Sequence, residues 1–261
     1  MSEREKDTWS AALYSKFEKE RNQPVYDLLN RVPTNDVKTA ADVGCGPGNS
    51  TEILQQRYPT ARLTGMDSSA NMIAAACERL PDVHFEVADI AAWNNYGPFD
   101  LILSNAVLQW VPNHEQIIPG LLNRLSPGGV LAIQMPDNFN EPTHRIMREI
   151  ASSGEWAKRL VNAQKRLDRK PAEWYFDLLH GRVVELDIWR TIYYHPIKTG
   201  AAGIVEMVKS TGLRPYLDVL GVDEQEAFIS RYTAEVTMAY LAQPDGTVLL
   251  PYPRLFIVAK K

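Results

Sequence analysis

The segment Asp42-Val43-Gly44-Cys45-Gly46-Pro47-Gly48 constrains the fold more than any other part of this chain. It follows a short apolar run and opens a segment with helical character, residues 48–57. Glycines at alternate positions let the backbone turn tightly and come close to a ligand. A helix that starts at such a turn offers unpaired N–H groups to a polar ligand group. We therefore expect a strand-turn-helix unit with a ligand site at the end of the strand.

Short apolar runs and helical segments alternate from residue 39 to residue 136. The predicted strands are Thr39–Val43, Ala61–Met66, Val83–Ala88, Phe99–Ser104 and Val130–Met135. The predicted helices between them are Gly48–Arg57, Ser69–Leu80 and His114–Leu125, the last followed by a turn at Ser126–Gly129. Such alternation is typical of an α/β fold with a parallel sheet that helices cover on both faces.

After Pro136 the alternation stops. Residues 141–180 and 200–242 are predicted to be mostly helical, and Val183–Tyr194 and Val248–Ala259 are predicted to be an antiparallel pair of strands. Pro251 and Pro253 fall in the second of these strands, which favours an edge or a bulge. The predicted fold class is a Rossmann-like doubly wound sheet, mostly parallel with an antiparallel last strand, plus helical lid insertions.

The length of 261 residues suits a single domain. We expect a helical cover at residues 1–33, a ligand-binding core at 39–136, lid insertions at 137–182 and 198–244, and a final strand pair at 183–195 and 247–260. Within the cover, two helices are predicted over Asp7–Val32, and Pro24 suits the first turn of the second.

Composition excludes several classes of protein. The net charge is −4 and the Lys and Arg residues are scattered, which argues against a nucleic-acid partner. No apolar run approaches the roughly 20 residues that span a bilayer. The two cysteines form neither a metal-ligand pattern nor a disulfide framework, so we expect no metal and a cytoplasmic location. The oligomeric state stays open, and a monomer is compatible with the sequence.

Polar residues end the next three predicted strands. Asp67 ends the second, 23 positions after Gly44, while Asp89 ends the third and Asn105 follows the fourth. An acid at the position of Asp67 can accept hydrogen bonds from both hydroxyls of a ribose. Because the carboxyl ends of parallel strands form one crevice, we expect these residues and the glycine turn to share a site.

This set of residues resembles the class I S-adenosylmethionine (SAM)-dependent methyltransferases. Asn49 stands where the dinucleotide pattern G-x-G-x-x-G needs a third glycine, which argues against a nicotinamide-dependent oxidoreductase. The resemblance implies SAM as cofactor, with S-adenosylhomocysteine as product. It also implies a set of cofactor-binding positions: Asp42, Gly44, Gly46, Asp67, Ser68, Asp89, Ile90 and Asn105.

Further segments narrow the resemblance to members of this family that esterify a small tricarboxylic acid. These segments are Gln134–Asn138, Asp187–Thr191, Thr211–Pro215 and Pro253–Ala259. The implied reaction transfers a methyl group to one carboxylate and gives a monomethyl ester. A carboxylate is already ionised at neutral pH, with a pKa of about 4, so we expect no general base and no catalytic side chain.

A tricarboxylate substrate needs positive partners, and arginine forks suit carboxylates well. Arg190 is the first candidate and Arg21 the second, with Tyr14, Trp110 and Tyr194 as further substrate-binding residues. For Trp110 and the cluster Trp174–Phe176, packing in the core is favoured over ligand contact. Two alternatives stay open: methylation of another small or carrier-bound carboxylate, and a SAM-binding module without catalysis.

Overall fold

A computed structural model describes residues 18–93, 97–164, 170–209 and 211–261. Seven strands form one sheet in the order β3-β2-β1-β4-β5-β7-β6. The strands are β1 (Thr39–Val43), β2 (Arg62–Asp67), β3 (His84–Val87), β4 (Phe99–Asn105), β5 (Leu125–Pro136), β6 (Glu185–Ile197) and β7 (Val248–Lys260). Each strand predicted from the sequence is confirmed, with ends that differ by up to five residues.

Ten α-helices of the described residues accompany the sheet. They are α1 (Glu18–Leu29), α2 (Asn49–Arg57), α3 (Ala70–Arg79), α4 (His114–Asn123), α5 (Pro142–Ser152), α6 (Ala157–Gln164), α7 (Ala172–Leu179), α8 (Gly200–Lys209), α9 (Arg214–Leu217) and α10 (Val222–Ala239). Short 3-10 turns occur at Leu108–Trp110 and Gly154–Trp156. None of these helices is both long and apolar enough to cross a bilayer.

Strands β1 to β5 are all parallel, as predicted. Asp67 pairs with Val87, Val43 with Met66, and Asn105 with Gln134. The carboxyl ends of β1, β2, β3 and β4 therefore lie at the same edge of the sheet. This register places the residues expected to bind a cofactor along one crevice.

The last strand, β7, is antiparallel to β5, as predicted. The N–H of Lys261 donates to the carbonyl of Gly129 at 2.9 Å, and the N–H of Asp137 donates to the carbonyl of Pro253 at 2.8 Å. Chain numbers therefore rise along β5 while they fall along β7. The expected edge position of this strand is wrong, because β7 lies between β5 and β6.

The two prolines of β7 are tolerated because β5 has already ended beside them. Continuing the pairing of Gly129 with Lys261 places Pro253 opposite residue 137 and Pro251 opposite residue 139. Both positions lie beyond Pro136, where β5 stops. The N–H and C=O of a strand residue point to the same side, so the N–H groups that these prolines lack would point to residues 137 and 139, past the end of β5. Their absence therefore removes no hydrogen bond between β5 and β7.

The turn predicted at residues 126–129 lies inside β5, and the helix expected to reach Leu125 ends at Asn123. Phe99 pairs with Leu125 and Leu101 pairs with Val130, so four residues of β5 lie opposite Asp100 alone. The hydroxyl of Ser126 donates to the carboxylate of Asp100 at 2.7 Å. The turn residues therefore form a bulge within β5, and the strand segments before and after the bulge both pair with β4.

Pro24 lies inside α1, so the predicted start of a helix at this residue is wrong. Proline within a helix removes one backbone hydrogen bond. Val25, Leu28 and Leu29 are nevertheless buried, each exposing 2% or less of its surface. Burial of this apolar face stabilises the helix across the proline. The predicted helix before residue 18 lies outside the described residues.

The described chain divides into two compact units. Unit 1 contains residues 18–135, 170–190 and 255–261, and unit 2 contains residues 136–164 and 191–254. Unit 1 has an apolar core between the sheet and helices α4 and α7, including Ile102, Ile133 and Tyr175. Unit 2 has a core of its own, formed mainly by helices and including Phe228 and Tyr232. The cover, core and lid division expected from the sequence stays a prediction.

Candidate functional site

The glycine turn between β1 and α2 is a left-handed segment. Gly44, Gly46 and Gly48 have φ values of 76°, 54° and 89°. The N–H groups of Gly44 and Cys45 both donate to the carbonyl of Met66, at 2.8 and 2.9 Å. Positive φ angles favour glycine, so the sequence dictates this reversal at the carboxyl end of β1.

Gly44 also makes the closest backbone approach of the turn. A Cβ atom at Gly44 would lie 2.3 Å from the Cγ2 atom of Val107, whereas one at Gly46 would meet nothing within 4 Å. Val107 belongs to residues 106–113, which connect β4 to α4 and which we call the β4–α4 loop. The glycine turn and this loop are therefore in direct contact at the site.

Asp42, at the end of β1, is entirely buried. Its Oδ2 atom accepts hydrogen bonds from the hydroxyls of Ser50 and Thr51, each at 2.7 Å. These donors lie in the first turn of α2, so the carboxylate fastens the helix to the strand. Burial raises the pKa of Asp42 from 3.8 to about 6, and the nearby negative charge of Asp67 adds to this rise. The hydrogen bonds from the two hydroxyls lower the pKa but do not outweigh burial.

Asp67, at the end of β2, closes the glycine turn from the other side. Its Oδ2 atom accepts from the N–H of Gly46 at 3.0 Å, and its Oδ1 atom accepts from the N–H of Ser69 at 2.9 Å. Ser69 in turn caps α3 by accepting from the N–H of Met72 at 3.2 Å. Ser68 between them is exposed. A carboxylate held on two sides in this way has a fixed orientation at the crevice.

Asp89 and Ile90 follow β3. Asp89 is exposed, and its Oδ1 atom accepts from the N–H of Ala91 at 2.9 Å, which shapes the turn after the strand. Ile90 is partly buried and packs against the core of unit 1. The pair presents a polar group beside an apolar one, a combination suited to a flat heterocyclic ring.

Five buried oxygen atoms in this region have no hydrogen-bond partner among the described residues. They belong to residues at or near the ends of β1 and β4 and the start of α2: Asp42 Oδ1, Asn49 Oδ1, Ser104 Oγ, Asn105 Oδ1 and Gln109 Oε1. Leaving such atoms buried without a partner costs about 1–3 kcal/mol each. A bound group with several N–H or O–H donors would satisfy them.

This set of acceptors fits the amino and hydroxyl groups of a nucleoside linked to an amino acid. The anionic carboxylate of Asp42 at the same edge suits a ligand that carries positive charge. The described part of the chain contains no cluster of three or more His, Cys, Asp or Glu side chains that could hold a metal ion.

The expected substrate residues that the structure describes lie on different elements. Arg190 is an exposed residue of β6, which is the third strand beyond β4, a distance of about 14 Å at the usual strand spacing. Trp110 ends the 3-10 turn of the β4–α4 loop, close in sequence to Asn105. Tyr194 is 62% exposed and belongs to unit 2. Tyr14 and the side chain of Arg21 lie outside the described residues.

The expected core packing of the aromatic residues is confirmed only in part. Tyr175 is buried at 1% exposure and Trp174 packs against the core of unit 1. Trp110 is 39% exposed and Phe176 is 46% exposed, so core packing is wrong for both. The role of Trp110 in substrate binding stays a prediction.

Sequence reasoning missed Asn49, Ser50, Thr51 and Gln109. Ser50 and Thr51 directly follow the glycine turn, and helical geometry brings the first turn of α2 back to the strand end. A buried acid before the turn and hydroxyls after it are a readable signal. Gln109 offers no such signal, because its position depends on the fold of the β4–α4 loop, where its Nε2 donates to the carbonyl of Ala106.

Comparison with known proteins agrees with this geometry. Residues 40–129 match a family model described as a methyltransferase domain. The chain is similar over 91% of its length to a phosphoethanolamine N-methyltransferase of Haemonchus contortus, with a TM-score of 0.55, 16% identity and 52% of that chain covered. It is also similar over 92% of its length to a coclaurine N-methyltransferase, with a TM-score of 0.54, 17% identity and 72% coverage. These likenesses show the fold.

Other relatives are far more similar in sequence. The chain is 50% identical over 256 residues to a trans-aconitate 2-methyltransferase of Variovorax paradoxus, covering 97% of this chain and 98% of that protein. It is 48% identical over 252 residues to the protein of the same name from Azoarcus sp., with the same coverage. The chain therefore belongs to the trans-aconitate 2-methyltransferase family and has the class I methyltransferase fold.

Proposed function

We propose that this protein is an enzyme that transfers a methyl group from SAM to one carboxylate of trans-aconitate, giving the monomethyl ester. The observation that carries the proposal is the 50% identity to a trans-aconitate 2-methyltransferase along 97% of the chain. The polar residues at the ends of β1 and β4 and at the start of α2 support it, because their buried acceptors fit the donors of SAM.

The cofactor residues expected from the sequence can be assigned roles on this basis. Asp67 would accept hydrogen bonds from the ribose hydroxyls, and Asp89 and Ile90 would contact the adenine. Ser68, the exposed residue after Asp67, would lie beside the ribose. The glycine turn with Gly44 and Gly46, together with Asp42 and Asn105, would hold the amino-acid end. When bound, SAM supplies an electrophilic methyl group on a positively charged sulfur.

The residues of the protein have to orient the acid, not activate it. A carboxylate with a pKa of about 4 is fully ionised at neutral pH, so no proton has to be removed before its oxygen takes the methyl group. The bond that forms joins carboxylate oxygen to methyl carbon, and the electron pair of the broken bond stays on sulfur. Fixed orientation and exclusion of water are then the main contributions of the site.

We further propose a cytoplasmic location, a small tricarboxylate as the partner and no nucleic acid. Both cysteines are unpaired thiols, with Cys45 buried and Cys77 exposed. Thiols of this kind suit a reducing compartment. The net charge of −4 also disfavours a phosphate-rich partner.

The decisive experiment is methyl transfer from labelled SAM to trans-aconitate, cis-aconitate, citrate and isocitrate in parallel. We expect a base-labile product and a strong preference for trans-aconitate. Faster methyl transfer to another acid of the panel than to trans-aconitate would favour the alternative, in which the substrate is a different small carboxylate. Binding of SAM without transfer to any acid would overturn the substrate and leave the fold and cofactor in place.

Arg190→Ala tests the first candidate for carboxylate binding. We expect KM for trans-aconitate to rise at least about tenfold, since a charged hydrogen bond contributes roughly 1.5–3 kcal/mol. Affinity for S-adenosylhomocysteine should stay unchanged, because Arg190 lies on β6, away from the strand ends that hold the cofactor residues. Arg182→Ala, an exposed arginine just before β6, is the matched control and should leave KM unchanged.

A further inference from the structure

The β4–α4 loop is held in an unusual backbone conformation. Ala106 at its start has a φ of 55° and Asn113 at its end has a φ of 61°, and these are the two described non-glycine residues with positive φ. Left-handed backbone is unfavourable for a residue with a side chain, particularly alanine. The surrounding structure must therefore supply contacts that keep the loop in this shape.

One such contact is made by His114, the first residue of α4. Its Nε2 atom lies 2.8 Å from the carbonyl oxygen of Leu108, inside the loop. A carbonyl only accepts, so Nε2 carries the proton and donates. The same carbonyl also accepts from the N–H of Val111 at 3.0 Å, so its acceptor capacity is filled.

The other ring nitrogen of His114 fixes the ring itself. Its Nδ1 atom lies 2.8 Å from the hydroxyl of Tyr175 on α7. In the neutral ring Nδ1 accepts, and the tyrosine donates. Tyr175 is 1% exposed, and its hydroxyl also lies 3.6 Å from the sulfur of Met135 at the end of β5. The imidazole is thus held between the buried side chain of Tyr175 and the loop.

The loop adjoins the glycine turn and Asn105, which are proposed to hold the amino-acid end of the cofactor. Asn105, with its unpartnered buried Oδ1, immediately precedes it, and Trp110 lies within it. Val107 touches the backbone of Gly44 so closely that no side chain fits between them. A shift of the loop would therefore move both the turn that meets the amino-acid end of the cofactor and the residue beside the substrate.

We propose that His114, fixed by Tyr175, is a positioning residue that holds the β4–α4 loop in its left-handed shape and so aligns cofactor and acid for methyl transfer. The inference rests on the proposed function for its effect on catalysis. Asp67 and Asp89, which would bind the nucleoside end, lie outside the loop. Loss of the clamp should therefore lower kcat more than it weakens cofactor binding.

Two substitutions separate the two nitrogens of the ring. In His114→Gln the amide nitrogen can occupy the place of Nε2 and keep the donor to Leu108. In His114→Asn the amide oxygen can take the place of Nδ1 and keep the acceptor for Tyr175, but the bond to the loop is lost. Both variants lose the imidazole ring, so the loss of packing in the core is similar in the two.

We expect His114→Asn to lower kcat about tenfold relative to His114→Gln, the size that follows from the loss of one buried hydrogen bond. Affinity for S-adenosylhomocysteine should differ by less than about threefold between the two, since the adenosine contacts stay. The midpoint temperature of thermal unfolding should fall by similar amounts in the two variants.

Hydrogen exchange of the protein without ligands provides a readout that needs no substrate. The amides of Trp110 and Val111, which bond to Val107 and Leu108, should exchange faster in His114→Asn than in His114→Gln. Equal exchange and equal kcat in the two variants would overturn the positioning role and leave His114 as a packing residue. If the wild type does not methylate trans-aconitate, the proposed function fails, while the exchange comparison still decides whether His114 holds the loop.

Discussion

Gly44→Ala is expected to abolish cofactor binding and methyl transfer. The added Cβ atom would lie 2.3 Å from Cγ2 and 2.5 Å from Cβ of Val107, far inside van der Waals contact. Val107 cannot simply move away, because it follows the left-handed Ala106 and its carbonyl accepts from the N–H of Trp110 at 2.9 Å. The turn and the loop would have to separate, which opens the site that both of them form.

Gly46→Ala is the matched control for this substitution. Gly46 also has a positive φ, 54°, but a Cβ atom there meets nothing within 4 Å. Its cost is confined to the left-handed conformation, about 1–2 kcal/mol. We therefore expect Gly46→Ala to weaken cofactor affinity by roughly tenfold, and Gly44→Ala to weaken it by more than about a hundredfold.

Calorimetric titration with S-adenosylhomocysteine measures both affinities, and circular dichroism tests whether each variant is folded. Gly44→Ala should keep its α/β spectrum while it loses binding. Equal affinities for the two variants would show that the contact with Val107 is unimportant and that the left-handed backbone alone matters.

Asp42→Asn is expected to make the ligand-free protein more stable and the cofactor bind more weakly. Asp42 is fully buried, and burial raises its pKa from 3.8 to about 6. An acid with a raised pKa stabilises the fold in its protonated form. Its contribution to the free energy of unfolding is complete below pH 3.8 and is lost as the pH rises from there through about 6. At about 1.4 kcal/mol per unit of pKa shift, the loss amounts to up to about 3 kcal/mol at neutral pH.

Asparagine removes that cost while it keeps an oxygen for the hydroxyls of Ser50 and Thr51. We therefore expect a rise in Tm of several degrees at pH 7.5, about half of that rise at pH 5, and almost none below pH 3.8, where the acid is protonated in both the folded and the unfolded chain. Cofactor affinity should fall about tenfold or more, because the ionised carboxylate attracts a positively charged ligand. For the same reason wild-type affinity should fall as the pH drops below about 6, and that fall should be weaker in the variant.

Thermal unfolding and cofactor titration at pH 5 and pH 7.5 check both halves of this expectation. Asp89→Asn is the control for Tm, since Asp89 is exposed and its removal should not change stability with pH in this way. A lower Tm for Asp42→Asn at pH 7.5 would mean that the carboxylate stabilises the turn more than its burial destabilises it. A residue retained at the expense of stability is expected mainly at functional sites.

The sequence predicts the cofactor half of the site well because its signals are local. Three glycines force a left-handed turn, and acids at successive strand ends need only the parallel sheet to bring them together. The register of the strands, with Asn105 opposite Gln134 and Asp67 opposite Val87, places these residues at that edge.

The errors arise where distant parts of the chain decide the outcome. Pro251 and Pro253 indicate an edge strand, but β7 is interior, because β5 ends before it reaches them. Residues 126–129 carry a turn signal and nonetheless lie in a strand, since their flanks both pair with β4. Exposure of Trp110 depends on the loop that His114 and Tyr175 hold, and a local pattern contains neither partner.

The interior position of β7 has a consequence for the order in which the protein is made. Ribosomes add about 5–20 residues per second from the amino end, so residues 248–260 emerge after every other strand. Until then β5 lacks its neighbour on one side and β6, although already synthesised, has no strand to join. Phe256, Ile257 and Ala259 each become fully buried only when this segment enters the sheet. The nascent chain therefore carries an open sheet edge until residues 248–260 emerge, and the core around them closes only then.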